Sequence, residues 1–454
     1  MTSKPKLTME TLVSLAKRRG FVFQSSEIYG GIAGFWDYGP YGAELAKNIR
    51  DSWWKAFVYQ NANIAGIDSS IIQNPKMWEA SGHVATFVDP LVDCKACKHR
   101  FRADHVTDFE TKDLAKYDEA LVKIKCPNCG KSGQWTSVKK FNMMFSTHVG
   151  PVSDDTNVAY LRPETAGGIF AQFGNVLETS RQKVPFGIAQ IGKAFRNEIT
   201  PGDFIFRVRE LEQMELEYFF NPDDKVDEFG KWKENCWNWL LSIGLKKDNL
   251  RWYDHEEGER AHYAVASSDI QYHYPMGFKE LYGVANRTDF DLKAQSAGSG
   301  KDLSYFDEAT KSRYTPHVIE PSVGVGRLML ALMHSAYHEE QVGDDSRVVL
   351  RFRPEIAPVK LAILPLSKKE ELTSLAKEVF SKLAGEYRTE YDETQSIGRR
   401  YRRQDEIGTP LCITIDFDSL EDQSVTIRHR DTMEQTRVKI SDLETTIVSL
   451  LASF

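Results

Sequence analysis

Apolar residues recur at helical spacing near the start of the chain. Leu45, Ile49 and Trp53 stand four residues apart within residues 44–59, which predicts an amphipathic helix. The next apolar run, IDSSIIQNP, is typical of a strand that stops at Pro75, because proline cannot donate a hydrogen bond to a sheet. The pattern therefore predicts a long helix followed by a strand that ends at this proline.

The middle of the chain alternates apolar and polar residues, as strands with one buried face do. Residues 185–195 read PFGIAQIGKAF, and residues 204–220 read FIFRVRELEQMELEYFF. The segment ITPGD between them is rich in turn formers and predicts two antiparallel strands. Residues 225–250 are typical of a peripheral helix, and residues 277–292 of another strand. Together these patterns predict a central sheet.

The last hundred residues alternate between strand and helix patterns. The run PVKLAILPL predicts a buried strand, and apolar residues at helical spacing follow it from Leu372 to Leu383. The basic segment IGRRYRRQDEIG predicts a helix, and PLCITIDF predicts a further strand. A hairpin is expected over residues 425–440, with a terminal helix after it. The alternation favours a separate α/β domain at residues 358–454, after a first domain at residues 1–357.

The composition is that of an ordinary globular protein. Its 454 residues are 41% hydrophobic and 27% charged, and no stretch approaches the roughly 18 uninterrupted apolar residues of a membrane-spanning helix. The amino-terminal stretch MTSKPKLTMETL lacks the apolar core of a secretion signal, so a cytoplasmic location is expected. The net charge of −7 argues against a protein that coats nucleic acid, but not against a partner on a local basic surface.

Four of the six cysteines form two CxxC pairs. Cys94 and Cys97 make the first pair, Cys126 and Cys129 the second, and 28 residues separate them. In a reducing compartment this spacing favours a metal over disulfides, and two such turns together supply the four thiolates of a zinc ribbon. We predict a structural Zn²⁺ in an insert at about residues 92–137. The alternative is a metal-free loop with reduced thiols.

Charged residues alternate with apolar ones between positions 195 and 220. On one strand, Arg207 and Arg209 would share a face, with Glu198, Glu210 and Glu212 within reach of it. Charges within a central sheet need partners, so a polar cleft lined by both signs is expected. The alternative is an amphipathic sheet with a solvated ionic face.

A second cluster combines an acidic residue, glycines and an arginine within HVIEPSVGVGRLMLALMHSAY. Glu320 lies in a predicted strand, and a glycine-containing turn leads from it to Arg327 at the start of an apolar helix. Glycines let the backbone approach a ligand closely, and an arginine can bind phosphate oxygens through two N–H groups. The pattern indicates a polyphosphate site, unless the glycines serve only the geometry of the turn.

Taken together, these segments resemble the three ordered motifs of class II aminoacyl-tRNA synthetases. The helix and strand ending at Pro75 resemble motif 1, FRNE with the following RVRELEQ resembles motif 2, and GVGRLMLAL resembles motif 3. Within that class the chain is most similar to the dimeric glycyl-tRNA synthetases, and the similarity covers nearly its whole length. The segments that carry it are EIYGGIAGFWDYGP, MWEASGHVATFVDPLVDC, FRADH, LRPETAGGIF, AFRNEITPGDFIFRVRELEQMELEYF, ELYGVANRTDFDL and EPSVGVGR.

The resemblance implies a fold and a reaction. The fold is an α+β catalytic domain on a central antiparallel sheet flanked by helices, with a C-terminal α/β anticodon-binding domain and a small zinc-ribbon-like insert. The reaction activates glycine with ATP and Mg²⁺ to glycyl-adenylate, releases pyrophosphate, and transfers glycine to the terminal adenosine 3′-hydroxyl of tRNA(Gly). A homodimer is implied as well.

The ATP site follows from the same resemblance. Arg196 would hold the α-phosphate, Arg327 the γ-phosphate, and Glu280 the Mg²⁺, a cation that prefers oxygen ligands. Glu198 would contact the adenine amino group, and Phe206 would stack on the ring. The complete implied set is Arg196, Asn197, Glu198, Phe206, Arg207, Val208, Arg209, Glu210, Leu211, Glu280, Leu281, Gly324, Val325, Gly326 and Arg327.

Glycine has no side chain to grip, and a cage of carboxylates around its ammonium group is the implied solution. By resemblance Glu164, Glu215 and Glu320 form the cage, with Ser322 near the α-carbon and Arg102 near the glycine carboxylate. The complete implied set is Arg102, Glu164, Leu211, Glu212, Gln213, Met214, Glu215, Arg287, Glu320, Pro321, Ser322, Val323 and Gly324.

The segments SIGRRYRRQDEIGTPLCITIDF and SVTIRHRDTMEQ resemble the anticodon-binding domain shared by glycyl, prolyl, threonyl and histidyl enzymes. Arg399, Arg400, Arg402 and Arg403 would supply cations for RNA phosphates, and Tyr401 would supply a ring for base stacking. The alternative is a solvated helix face.

Two positions depart from the usual family sequence. Glutamine is common where Gly167 stands, and an acidic or polar residue is common where Gly326 precedes the motif 3 arginine. Neither position carries a charge that the reaction needs, so activity is still expected. Two rivals stay open: a non-enzymatic synthetase-like accessory protein that binds nucleic acid, and another amino-acid specificity within class II. The retained charges at Arg196, Glu280 and Arg327 favour the enzyme.

Overall fold

The computed structural model of the protein describes residues 7–152, 155–258, 260 and 263–454. Residues 1–6 lie outside it. They are the first half of the stretch MTSKPKLTMETL, from which we expected no secretion signal. Within the described ranges, no helix combines the length and the apolar character needed to cross a membrane. A seven-stranded sheet and a five-stranded sheet organise most of the chain.

The helices of the larger part are α1 Met9–Arg18, α2 Pro40–Trp54, α3 Pro75–Ala80, α4 His83–Thr86, α5 Ala103–Thr107, α6 Leu114–Leu121, α7 Ala166–Ser180, α8 Glu228–Ser242, α9 Phe290–Ser299 and α10 Val325–Ala336. Those of the carboxy-terminal part are α11 Glu370–Leu383, α12 Ile397–Ile407, α13 Asp418–Asp422 and α14 Leu443–Ala452.

The first strands are β1 Val22–Gln24, β2 Trp36–Tyr38, β3 Ile64–Ile67, β4 Ile72–Gln73, β5 Val88–Asp93, β6 Arg100–Arg102, β7 Lys139–Asn142, β8 Ser146–His148 and β9 Val158–Leu161. The central strands are β10 Phe186–Phe195, β11 Glu210–Phe220, β12 Leu250–Asp254, β13 Ala266–Tyr274, β14 Gly277–Thr288, β15 Tyr305–Asp307, β16 Ser312–Tyr314 and β17 His317–Gly324. The last strands are β18 Tyr337–Val342, β19 Asp345–Leu350, β20 Leu361–Pro365, β21 Thr389–Tyr391, β22 Leu411–Ile415, β23 Ser424–His429 and β24 Gln435–Lys439.

The larger sheet has the strand order β12-β13-β14-β17-β11-β10-β3. Its neighbouring pairs are antiparallel, except that β3 runs parallel to β10. Small residues on β10 lie opposite large ones on β11, as Gly187 does with Tyr218 and Ala189 with Leu216. The predicted central antiparallel sheet is confirmed.

The connection between β10 and β11 differs from the prediction. A strand was expected from Phe204 onward, but β11 begins only at Glu210. Backbone N–H and C=O groups of Gly202 and Arg207 bond to each other, and Asp203 and Phe204 have positive φ angles of 55° and 61°. Left-handed backbone interrupts a strand, so Arg207 and Arg209 both lie in the loop before β11 and do not share a strand face.

Helices cover both faces of this sheet. Helices α2, α8 and α10 pack on one face, and α7 and α9 pack on the other. Consecutive residues of a strand point to opposite faces, and on β17 Val318 accordingly joins the second core while Ile319 joins the first. Because helices cover both faces, this central strand buries consecutive residues such as Val318 and Ile319.

The segment predicted as one strand ending at Pro75 is divided between two sheets. Strand β3 ends at Ile67, and the short strand β4 pairs instead with β9. Pro75 is the first residue of α3, and the Asn74 side chain accepts a hydrogen bond from the Lys76 N–H. Proline is favoured at the first helical position, where its missing N–H is not needed. The prediction of a strand up to this proline was therefore wrong.

Strands β5, β6 and β7 form a separate three-stranded sheet that carries the cysteine-containing insert. A small core around Val92, Tyr117 and Leu121 packs against Cys94 and Cys126. This core is too small to hold such a unit on its own, which agrees with a need for an additional crosslink.

The carboxy-terminal sheet has the order β21-β20-β22-β23-β24. Strands β21, β20 and β22 are parallel, while β23 and β24 form the expected antiparallel hairpin. Helix α12 joins this part to the rest, because Asp405 accepts hydrogen bonds from Arg347 on β19 and Ile407 packs in the main core. The division at residue 358 stays a prediction.

Candidate active site

A cleft of about 570 Å³ opens over β11, β14, β17 and the loop before β11. This volume is in the range of small-ligand sites, which is roughly 300–1,000 Å³. Most of the predicted ATP and glycine residues line it: Glu164, Arg196, Glu198, Phe206, Arg207, Val208, Glu210, Leu211, Glu212, Gln213, Glu215, Glu280, Leu281, Glu320, Ser322, Gly324, Gly326 and Arg327.

Arg327 forms one end of the cleft, at the start of α10. Its guanidinium lies 4.5 Å from the centroid of the Phe206 ring, and its Nη1 lies 3.0 Å from Glu280 Oε2. Its Nε donates to the Phe206 carbonyl oxygen at 3.2 Å. Arg327 lowers the pKa of Glu280. A cation, an aromatic ring and an ionised carboxylate are thus in place without any ligand.

The loop before β11 supplies the second arginine of the cleft. Arg196 donates through Nε to the Pro163 carbonyl oxygen at 3.0 Å, and its guanidinium lies 5.7 Å from the Phe87 ring centroid. Arg209 fixes the loop by donating to the carbonyl oxygens of Glu198 and Ala33. The cleft therefore has arginines from two separate elements, as an elongated anion requires.

Acidic side chains gather around Arg287 at the other end. This arginine is 1% exposed, and it donates to both carboxylate oxygens of Asp291 at 2.7 and 2.9 Å. Its Nη1 also donates to Glu320, and its Nη2 lies 3.9 Å from Glu164 Oε1. The guanidinium lies 3.9 Å from the Tyr263 ring centroid. One buried cation therefore orients two of the carboxylates that line the cleft.

Glu215 has a different set of partners, all of them donors of hydrogen bonds. Its Oε2 accepts from the N–H groups of Thr165 and Ala166 at 2.9 Å, and from the Thr165 hydroxyl. Its Oε1 accepts from Gln213 at 2.8 Å and from Ser322 at 2.7 Å. Thr165 precedes α7 and Ala166 is its first residue, so both N–H groups lie at the start of a helix, where a negative charge is favoured.

The pKa values of the two carboxylates beside Arg287 shift in opposite directions. Burial raises the pKa of Glu164, but His83 at 3.3 Å and Arg287 outweigh it and bring the pKa to about 2. Burial raises the pKa of Glu320 to about 7, with Glu215 and Glu164 adding to the rise against the pull of Arg287. Glu164 is therefore a permanent anion, and Glu320 gains or loses its proton near neutral pH.

Comparison with known proteins agrees with this geometry. The family model described as tRNA synthetase class II core domain (G, H, P, S and T) matches residues 145–336, and the model of the anticodon binding domain matches residues 360–450. The glycine–tRNA ligase of Clostridium acetobutylicum is 54% identical over 456 residues, which cover 97% of this chain and 98% of the relative. The chain belongs to the glycine–tRNA ligase family.

Another relative and a solved structure agree with the assignment. The glycine–tRNA ligase of Caldanaerobacter subterraneus subsp. tengcongensis is 52% identical over 452 residues, 97% of each chain. Prolyl-tRNA synthetase from Cryptosporidium parvum, solved with L-proline and AMP, superimposes with a TM-score of 0.65 at 15% identity, over all of this chain and 77% of that one. This similarity shows the fold, and it confirms the expected α+β class of the ligase-family chain.

Several predicted residues do not reach the cleft of this glycine–tRNA ligase family member. Arg102 is the clearest case, because its guanidinium binds Asp89 at 2.9 Å and Asp104 at 2.6 Å at the base of the insert. Met214 is fully buried in the main core. Six others do not line the cleft either: Asn197, Arg209, Arg287, Pro321, Val323 and Val325.

The cleft also contains residues that sequence reasoning did not select. Trp36, Asp37 and Tyr38 line it from β2, and Lys193 and Tyr263 line it from β10 and the segment before β13. The first three lie in the segment EIYGGIAGFWDYGP, whose resemblance to the family could have identified them as site residues. Tyr263 had none, because its position over Arg287 depends on how distant segments pack.

The two glycines that depart from the usual family sequence are sterically confined. A Cβ at Gly167 would lie 2.8 Å from two ring atoms of Trp78. A Cβ at Gly326 would lie 3.0 Å from the Ile205 carbonyl oxygen and 3.4 Å from the Tyr38 hydroxyl. Neighbouring groups of this ligase-family chain therefore fill the space that a side chain would need.

The four predicted cysteines come together at one point of the insert. Cys94 Sγ lies 3.7 Å from Cys129 Sγ, Cys97 Sγ lies 3.7 Å from Cys126 Sγ, and all four sulfurs lie within 4.8 Å of one another. Tetrahedral Zn²⁺ with Zn–S distances of about 2.3 Å would place sulfurs about 3.8 Å apart. The sulfurs therefore fit a zinc ion.

Helix α12 forms as predicted, but it does not present all its arginines to solvent. Arg400 is 2% exposed and donates to the carbonyl oxygens of Pro365 and Asp392, and Arg403 forms an ion pair with Asp392. The Tyr401 hydroxyl bonds to Thr414 at 2.6 Å, and its ring packs beneath Arg428. Arg400, Arg403 and Tyr401 therefore have partners within the protein, and the role of the four arginines and Tyr401 toward RNA stays a prediction.

Proposed function

We propose that the protein ligates glycine to tRNA(Gly) in two steps, with glycyl-adenylate as the intermediate. The observation that carries the proposal is the joint presence, in one cleft, of an arginine pair and of the carboxylates around Arg287. The first suits the triphosphate of ATP, and the second suits an ammonium group. The glycine–tRNA ligase relatives at 54% and 52% identity support glycine as the amino acid.

In the activation step, the glycine carboxylate attacks the α-phosphorus and pyrophosphate leaves. Negative charge develops on phosphate oxygens, so the protein acts mainly by positioning and by electrostatic stabilisation. We assign the α-phosphate to Arg196 and the γ-phosphate to Arg327. Phe206 would stack on adenine, and Glu198 would accept from its amino group. Mg²⁺, an oxygen-seeking ion, would neutralise phosphate charge next to Glu280.

For the amino acid, we assign the ammonium group to Glu164 and Glu320. Arg287 turns both carboxylates toward the cleft, so little reorganisation is needed on binding. Glu215 is saturated with donors and would act by holding Ser322 and the start of α7 in position. Glycine has no side chain, so its site needs no side-chain pocket. A larger amino acid would be rejected because its side chain would find no space there.

A pyrophosphate-exchange assay across the amino acids tests the proposal. We expect exchange with glycine alone, and charging of tRNA(Gly) when tRNA is added. Exchange with another amino acid would overturn the specificity, and absence of exchange with every amino acid would favour the accessory-protein alternative.

For tRNA recognition we propose that Arg399 and Arg402, the solvent-facing arginines of α12, contact the anticodon arm. Arg399 is exposed, and Arg402 keeps 34% of its side-chain surface accessible. Replacing both by glutamate should raise the KM for tRNA(Gly) about tenfold or more and leave pyrophosphate exchange within about twofold, because phosphate contacts add binding free energy without touching the cleft.

The matched control is a double reversal of Lys377 and Lys382 on α11, which changes the charge of the same part by the same amount. Equal losses in the two double variants would mean that net charge, and not a local contact, determines tRNA binding.

We also propose a structural Zn²⁺ on Cys94, Cys97, Cys126 and Cys129. Purification without chelator should give about one zinc per chain, and Cys97→Ser should lose it and make the insert sensitive to protease, because such sites supply folding free energy. Metal analysis and limited proteolysis measure both. Cys236→Ser, outside the cluster, should retain the metal. A Cys97→Ser protein with full zinc content would contradict the assignment.

A homodimer in the cytoplasm completes the proposal. The dimer is supported only by the resemblance of the helix at residues 44–59 and the segment up to Pro75 to motif 1. The compartment is supported only by the two CxxC pairs, which suit a metal site in a reducing environment.

A further inference from the structure

Glu217 is a buried carboxyl on β11 that the predicted site residues leave out. Its side chain has no exposed surface. Among the residues that the structure describes, neither of its carboxyl oxygens has a hydrogen-bond donor. An ionised carboxylate is strongly disfavoured in such surroundings, and the group takes up a proton instead.

Glu217 faces Glu320 across two hydrogen-bonded strands. Strands β11 and β17 pair Glu215 with Ser322 and Tyr218 with Ile319, and the same antiparallel register sets Glu217 opposite Glu320. Opposed residues project from the same face of a sheet, with Cβ atoms about 4.5–5.5 Å apart. At that separation, the two carboxyl groups can share a hydrogen bond if one of them is protonated.

Charged and titratable groups surround this pair on every packed element. They are Glu215 on β11, Arg287 on β14, Asp291 on α9, Glu164 ahead of α7, His83 on α4 and Tyr263 ahead of β13. Arg287 binds Glu320, Asp291 and Glu164, and it forms no ion pair with Glu217 in the described part of the chain. Burial raises the pKa of Glu217 well above its ordinary value, and the charge of Glu320 adds to the rise.

We propose that Glu217 is a positioning residue that stays protonated and donates its O–H to the Glu320 carboxylate, which in turn binds the ammonium group of glycine. The inference rests on the proposed activation of glycine. The shared proton leaves the negative charge of the pair on Glu320, the member that lines the cleft. It also fixes the orientation of that carboxylate and removes the repulsion that two adjacent anions would produce.

The test compares two variants of similar side-chain size with the wild-type protein in glycine-dependent pyrophosphate exchange. Glu217→Gln keeps a donor for Glu320, so the KM for glycine in pyrophosphate exchange should rise by no more than about threefold. Glu217→Leu removes the donor, so KM should rise about 10- to 100-fold while kcat falls less than about threefold, the range for a hydrogen bond to a charged group. The acid limb of the pH profile of KM should move to higher pH by about one unit in Glu217→Leu and stay in place in Glu217→Gln.

Three results would overturn the proposal. Glu217→Gln as impaired as Glu217→Leu would mean that Glu217 works as an anion. If Glu217→Gln and Glu217→Leu are both less stable but keep the wild-type KM for glycine and its pH profile, the role of Glu217 is purely structural. If Glu217→Leu does not fold, infrared spectra of the wild-type protein decide instead: the C=O stretch of a protonated carboxyl should persist at pH 8 and disappear in Glu217→Gln, and its absence from the wild type would refute the idea. If the proposed activation of glycine is wrong, the wild-type protein itself will show no glycine-dependent exchange. That result differs from any difference between the two variants.

Discussion

Replacing Arg327 by alanine is expected to lower glycine-dependent pyrophosphate exchange by about three orders of magnitude. The arginine lies over Phe206 and against Glu280, and about a quarter of its side-chain surface stays open to the cleft. Removing one such preorganised group from a phosphate site costs about 10²- to 10³-fold, and the substitution also leaves Glu280 without its cation. The readout is kcat/KM for ATP in the exchange assay, with circular dichroism as a check on folding.

Two further variants sharpen this prediction. Arg327→Lys keeps the charge but not the planar group that binds two oxygens at once, and we expect a loss of about 10- to 100-fold. Arg313→Ala removes an exposed arginine that pairs with Asp302, and it should stay within about twofold of the wild type. Exchange by Arg327→Ala within tenfold of the wild type would contradict the assignment of this residue to the triphosphate.

The elements that sequence patterns predicted well are those whose periodicity is local. The helix containing Leu45 and Ile49, the strand β20 and the hairpin β23–β24 all follow from spacing, because each buries one face or is buried on both. The four-cysteine cluster was predictable for a related reason, since CxxC spacing fixes the chemistry before any fold is known.

What the sequence did not reveal depends on packing between distant segments. Arg400 and Arg399 are adjacent in a basic helix, yet Arg400 is buried against carbonyl oxygens at the ends of β20 and β21 while Arg399 is exposed. No property of the helix alone distinguishes them. Arg287 was selected by resemblance, but its pairing with Asp291 and Glu320 required the register of β14 and β17.

Glu320→Gln should raise the KM for glycine about 100-fold. The variant keeps the shape of the side chain but replaces an anion beside the proposed ammonium site by a neutral amide, and a charge-assisted hydrogen bond in a buried site is worth about that factor. Initial rates of pyrophosphate exchange at varied glycine concentration measure it. Glu308→Gln, at an exposed position outside the cleft, is the matched control. A KM within threefold of the wild type would contradict the carboxylate cage.

Glu320→Gln should fold as stably as the wild type at alkaline pH, and the pKa of Glu320 gives the reason. Burial raises the pKa of Glu320 to about 7 from an ordinary value near 4.5, so the folded protein holds a proton that the unfolded chain releases. Its contribution to stability is fully present below about pH 4 and is lost as pH rises to about 7. Glu320→Gln escapes this loss, and its melting temperature at pH 8 should equal or exceed that of the wild type. Destabilisation at pH 8 would instead mean that the ion pair with Arg287 outweighs the cost of burying the charge.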